Sequence, residues 1–74
     1  MADTETSVLA ETADALHAAV RKKKSDAVRA LGEELNARGG FALMQAAHRE
    51  LVQRHRHSAR LVEMLWTGIG VWRG

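Results

Sequence analysis

The sequence contains no cysteine, no proline and no tyrosine, and only three of its residues are aromatic. Without cysteine, the chain can form neither a disulfide nor a cysteine-ligated zinc site. The same absence is typical of proteins in a reducing compartment, and we expect a cytoplasmic protein. Without proline, long helical stretches are not interrupted by a missing backbone donor.

Long apolar runs are also absent, because none approaches the ~20 residues that a membrane-spanning helix needs. We therefore expect no membrane span. The first residues, 1–5, are acidic and lack the basic and apolar regions of a signal peptide. The abundance of alanine and arginine is typical of bacterial proteins from GC-rich genomes. With 74 residues, the chain predicts a single helical domain over residues 1–74.

Two adjacent glycines, Gly39 and Gly40, divide the chain into two stretches with helical periodicity. A Gly-Gly step permits positive φ angles and ends a helix at low cost. The pattern predicts an all-α protein built as an antiparallel helical hairpin. Its first arm covers about residues 4–37, its turn residues 38–40, and its second arm about residues 41–72.

The apolar residues of the first arm form one narrow stripe at helical spacing. The stripe keeps its phase across Lys22, Lys23 and Lys24, which favours one continuous helix. The alternative is a helix that ends at the lysines, followed by a second helix with Ser25 as its N-cap. The stripe consists of Leu9, Ala13, Leu16, Val20, Ala27 and Leu31.

The second arm carries apolar residues at the heptad spacing of a helix that packs along a seam. His48, His55 and Ser58 interrupt this seam near its middle. A turn at His57 and Ser58, with Ser58 as the N-cap of a further helix, explains the interruption equally well. We expect a break or kink there. The heptad positions are Phe41, His48, His55, Val62 and Ile69, and Met44, Leu51, Ser58, Leu65 and Trp72.

The supply of core-forming side chains is small. Apart from 13 alanines and Met1, the sequence has 20 large apolar residues. A core of that size rarely supplies more than about 3–5 kcal/mol, and self-association is the remaining source of stability. We expect two hairpins to dimerise into a four-helix bundle. The residues predicted to form its core and interface are Leu16, Val20, Phe41, Met44, Leu51, Val62, Leu65, Trp66 and Ile69.

Basic residues occur at the same level of both predicted arms. Folding the arms about the glycines brings His55 opposite Lys23 and Lys24. Like charges placed together are unfavourable unless an anion compensates them, so Lys23, Lys24, Arg54 and Arg56 are a predicted anion-binding site. The alternative is that these side chains extend into water. The cluster, here called the basic collar, consists of Lys22, Lys23, Lys24, Arg54 and Arg56.

The histidines do not have the spacing of a metal site. His48 and His55 share a helix face but are seven residues apart, about 10 Å along a helix. We expect neither a metal nor a cofactor, and interpret both histidines as half-buried residues of the seam. Burial beside cations would oppose their protonation and predicts lower stability in acid. The alternative is that both rings reach solvent.

The sequence carries no motif for catalysis, nucleotide binding or sequence-specific reading of DNA. Ser7, Ser25 and Ser58 are interpreted as cap or loop residues, and we expect no enzyme. The sequence favours a small helical interaction or regulatory protein that acts as a homodimer, with another protein as a further partner. The alternative is a nucleic-acid-associated accessory protein that uses the basic collar, although a net charge of +2 does not favour it.

Overall fold

The computed structural model describes residues 2–72, with side chains from residue 8 onward. Met1, Gly74, the side chain of Ser7 and the end of the predicted domain after residue 72 lie outside this part. The described residues form three α-helices and no strand, which confirms the all-α prediction. The helices are α1 (Ala2–Arg21), α2 (Ser25–Arg54) and α3 (Arg56–Leu65).

The first helix ends at the three lysines, so the prediction of one continuous helix is wrong. Lys23 has a φ of 58°, in the left-handed region. Its amide donates to the carbonyl of Val20 at 3.0 Å, and the Lys24 amide donates to that of Ala19 at 2.9 Å. This pair of bonds is a Schellman motif, which terminates a helix. The alternative reading therefore holds: α2 begins at Ser25, although Lys24 is its N-cap residue and provides no side-chain cap.

The glycine pair lies at a kink within α2, and the antiparallel hairpin stays a prediction. Gly40 has φ 69° and ψ −159°, which is not helical, and so divides α2 into a first limb over residues 25–39 and a second limb over residues 41–54. A positive φ of this kind is accessible to glycine without strain from a Cβ atom. The predicted interruption is present at this point, but it joins two limbs of a three-helix chain.

The predicted break in the second stretch is also present, but it lies at His55. This residue has φ −143° and ψ 69° and separates α2 from α3. Ser58 is therefore inside α3 and is almost completely buried, with 3% of its surface exposed. Its prediction as an N-cap is wrong, because its hydroxyl is hydrogen-bonded to His17 of α1.

Trp66, directly after α3, lies fully buried in the core. Its indole N–H donates to the carbonyl of Val28 at 2.9 Å. The ring lies directly against Gly32 of α2, the residue whose missing side chain leaves room for it. The buried core residues are Ala13, Leu16, Ala19, Val28, Leu35, Met44, Ala47, Leu51, Ala59, Val62, Trp66, Ile69 and Trp72.

Three of the residues predicted to form the core or the dimer interface are not fully buried in the single chain. Val20 and Leu65 are half-buried against the core. Phe41 is exposed over 37% of its surface and packs its ring on Trp72 instead. No helix among residues 2–72 has the length and apolar character to cross a membrane.

Candidate functional site

A cleft of about 370 Å³ opens between the second limb of α2 and the segment that contains α3 and the residues after it. We call it the aromatic cleft. Its volume is within the range of sites that accept a small molecule or a side chain of a partner. Its lining combines aromatic, apolar and charged side chains: Phe41, Gln45, His48, Arg49, Val52, Glu63 and Trp72.

Trp72 is the fixed wall of the aromatic cleft. Its indole N–H donates to the carbonyl of Glu63 at 3.0 Å. Its ring meets Trp66 edge to face, with centroids 5.1 Å apart, and His48 in a similar geometry at 5.5 Å. The ring of Phe41 packs against that of Trp72 in a tilted geometry, with centroids 5.6 Å apart. Edge-to-face pairs of this kind are favourable, so the aromatic side chains hold one another in place.

The charged residues of the cleft differ in their environment. The Nε2 of His48 is 3.0 Å from the carbonyl oxygen of Ala59 and 4.0 Å from the carboxylate of Glu63. Arg49 is exposed and, among the described residues, has no ion pair or hydrogen bond of its side chain. The cleft therefore presents one unpaired cation and one partly exposed carboxylate beside its aromatic walls.

A second group of polar residues joins α1 to the junction of α2 and α3. We call Asp14, His17, Arg54, His55 and Ser58 the histidine cluster. Asp14 accepts two hydrogen bonds from the guanidinium of Arg54, at 3.2 and 3.1 Å, and one from His55 at 2.8 Å. His17 and Ser58 share a hydrogen bond of 2.7 Å, and the rings of His17 and His55 stack with centroids 3.8 Å apart.

These contacts perturb the acid–base properties of the cluster. The hydrogen bond from Arg54, and then that from His55, lowers the pKa of Asp14 below 3.8. The same bond raises the pKa of Arg54. Partial burial, and then the charges of His55 and Arg21, lowers the pKa of His17 below 6.5. Near neutral pH the cluster therefore contains a firmly ionised carboxylate and a neutral His17 ring.

The histidine cluster contains residue types that occur in nucleophile and metal sites. Ser58 is hydrogen-bonded to a histidine, as an activated nucleophile would be, but only 3% of its surface is exposed. Within residues 8–72, no group of three or more potential ligands is arranged to hold a metal ion. The cluster links α1 to α2 and α3 through side-chain hydrogen bonds.

The residues of the basic collar have different neighbours from those predicted. His55 faces Asp14 and His17, not the lysines. Arg54 is bound to Asp14, so its charge is already balanced. Lys23 and Lys24 are exposed at the turn before α2. Anion binding by this surface stays a prediction.

Sequence reasoning missed Asp14 and His17 as site residues. They are three apart and therefore lie on one face of α1, a signal that is not distinctive without the position of His55. No protein-family model, curated protein or solved structure matches the chain. The function must therefore be inferred from the geometry of this chain.

Proposed function

We propose that the protein is a small non-enzymatic interaction protein that acts as a homodimer, with the aromatic cleft at the interface between two copies. The observation that carries the proposal is the composition of the cleft, in which exposed Phe41 and the unpaired Arg49 lie beside buried Trp72. Aromatic and arginine side chains are enriched where proteins bind one another.

The exposed apolar surface around the chain supports self-association. Met64 is exposed over 64% and Val71 over 71% of its surface, and Leu61 lies one turn before Met64 on α3. Such residues remain in contact with water in a single copy. Their burial in a dimer would contribute roughly 25 cal/mol per Å² of apolar surface removed from water.

The charges of the cleft fit a second copy of the same chain. In a two-fold dimer, each surface patch meets itself, so a residue on one copy contacts a different residue on the other, and the reverse contact also forms. A patch that carries both a cation, Arg49, and a carboxylate, Glu63, is complementary to itself under this symmetry. Each copy would contribute the second limb of α2 together with α3, which gives four helices around the interface.

Substitutions that reverse the charge of Arg49 or Glu63 test this interface. Light scattering of the wild type at tens of micromolar should give about twice the chain mass of 8.1 kDa. Arg49→Glu and Glu63→Arg each place like charges across the two-fold axis and should yield monomers. An equimolar mixture of the two variants should recover a dimer, because opposite charges then meet in both contacts.

A matched control is Arg60→Glu, which changes the charge of an exposed α3 residue outside the cleft and should leave the dimer intact. A wild-type monomer that melts cooperatively would refute the dimer itself. A dimer that is indifferent to both exchanges would refute the cleft as its interface.

A second candidate function, association with nucleic acid, is favoured by one observation. Lys22, Lys23 and Lys24 are exposed together at the turn between α1 and α2. Such a run contacts phosphates without reading sequence. Because Arg54 is bound to Asp14, this candidate rests on the lysines alone.

A further inference from the structure

Two parallel imidazole rings connect α1 to the point at which α2 gives way to α3. The rings of His17 and His55 are inclined by only 1° and their centroids lie 3.8 Å apart. His55 is itself the non-helical residue between α2 and α3. This stacking contact therefore joins α1 to the junction of the other two helices.

The two rings have different partners. His55 donates from Nε2 to the carboxylate of Asp14, which also binds Arg54 and can balance a positive charge on the ring. The Nδ1 of His17 meets only the neutral hydroxyl of Ser58. A positive charge on His55 is therefore balanced by Asp14, whereas a positive charge on His17 has no carboxylate in hydrogen-bond contact.

We propose that the stacked pair is a proton-operated contact, which holds α1 on the α2–α3 junction while at most one ring is charged and releases it when acid charges both. Two cationic rings at stacking distance repel each other, and the repulsion is relieved when the helices separate. This regulation goes beyond the proposed dimer, because it acts within one chain.

The charges around His17 determine whether acid favours or opposes release of α1. On α1, Arg21 opposes a charge on His17 and Asp14 favours it, while His55 at the junction opposes it. Within the described residues, α3 contributes only the hydroxyl of Ser58 to this ring. Because the pKa of His17 in the folded chain is below its ordinary 6.5, the released state binds more protons as the pH falls. Acid therefore favours release, beginning near pH 6.5 and increasing until the folded-state pKa is passed.

Release would expose the side of α1 that contacts the core. Ala13 and Leu16 are completely buried on that side and lie one turn apart. Acidification would thus present an apolar helix face that is covered at neutral pH. The wild-type chain would respond to pH by changing which surface it offers.

Nuclear magnetic resonance of the full chain tests the proposal directly. The ring protons of the histidines are followed between about pH 8 and pH 5, a range in which Asp14 remains ionised. We expect the titration midpoint of His17 to lie below 6.5 and to move upward in His55→Gln, because the opposing ring charge is removed. The cross-relaxation between His17 and Ser58 should be lost over the same pH range.

His57→Gln is the matched control, because His57 is exposed and, within the described residues, no hydrogen bond or ring contact joins it to the stacked pair. It should leave the midpoint of His17 unchanged. His17→Lys carries a positive charge at about pH 7.5, and there α1 should no longer contact the α2–α3 junction. His17→Phe cannot be protonated, so this contact should persist at about pH 5. If His17→Lys fails to fold, the response of the His17 midpoint to His55→Gln decides alone.

A His17 midpoint that is ordinary and indifferent to His55→Gln would overturn the proposal. Persistence of the contact between His17 and Ser58 after both rings are protonated would overturn it as well.

Discussion

Replacement of Gly32 by alanine tests whether the close contact between α2 and Trp66 controls the stability of the fold. A Cβ atom at position 32 would lie 2.5 Å from Nε1 of Trp66, 2.6 Å from its Cδ1 and 2.9 Å from its Cε2. The ring cannot withdraw easily, because it is fully buried and hydrogen-bonded to the carbonyl of Val28. The substitution therefore forces either the ring or the helix to move.

Two opposing effects determine how much Gly32→Ala changes the free energy of unfolding. In a helix interior, alanine is favoured over glycine by about 1 kcal/mol. Overpacking of a filled core costs about 1–3 kcal/mol, and loss of the indole hydrogen bond would add about 1 kcal/mol. We expect Gly32→Ala to lower the free energy of unfolding by about 1–3 kcal/mol. For a chain of this size, that corresponds to a fall in Tm of roughly 5–25 °C.

Thermal and urea unfolding, followed by circular dichroism, measures this change. Ala30→Gly, at an exposed position of the same limb of α2, gives the helix-propensity difference without a core contact. In a Trp66→Leu background the ring is absent, so Gly32→Ala should become neutral or stabilising. An increase in stability upon Gly32→Ala in the wild type would refute the reasoning, as would equal effects in both backgrounds.

Three further outcomes are expected. Lys23→Gly should raise the free energy of unfolding by up to about 1 kcal/mol in denaturant titrations, because glycine adopts the left-handed conformation without strain; destabilisation would contradict the assignment of the turn. Arg54→Gln should move the pKa of Asp14 upward towards 3.8, seen by carboxyl-carbon resonance, and reduce the stability that the wild type loses as the pH falls below about 4; an unchanged Asp14 titration would show that the ion pair is not formed. Replacement of both Lys23 and Lys24 by glutamine should weaken any binding to heparin or DNA, which should itself fall steeply with salt; absence of binding at low salt would leave the lysines as a solvated surface.

The all-α fold class and the positions at which the helices are interrupted could be predicted from the sequence, because they follow from the chemistry of neighbouring residues. Gly40 adopts the positive φ that the Gly-Gly step permits, and the predicted break of the second stretch is present within three residues of Ser58. These features depend on the conformational range of a few neighbouring residues.

The contacts between the helices could not be predicted from local sequence. An apolar stripe keeps its phase across Lys22–Lys24 even though the Schellman motif at Lys23 ends α1 there. The partner of His55 depends on how far α2 is bent at Gly40 and how α1 then crosses it, and packing of the whole chain sets both. The local sequence predicts Ser58 to be a cap, because it does not reveal that the hydroxyl is hydrogen-bonded to His17, 41 residues away.

The central position of Trp66 has a consequence for the order of folding. Its bond to Val28 spans 38 residues, and the bond between Ser58 and His17 spans 41. The turn between α1 and α2 closes over a few residues, whereas these contacts require the ends of a long loop to meet, at a greater cost in chain entropy. During synthesis, α1 and the first limb of α2 emerge well before the ring that fills the space beside Gly32. We therefore expect the nascent chain to stay open until Trp66 has been made, and the fluorescence of this residue to report the last step of folding.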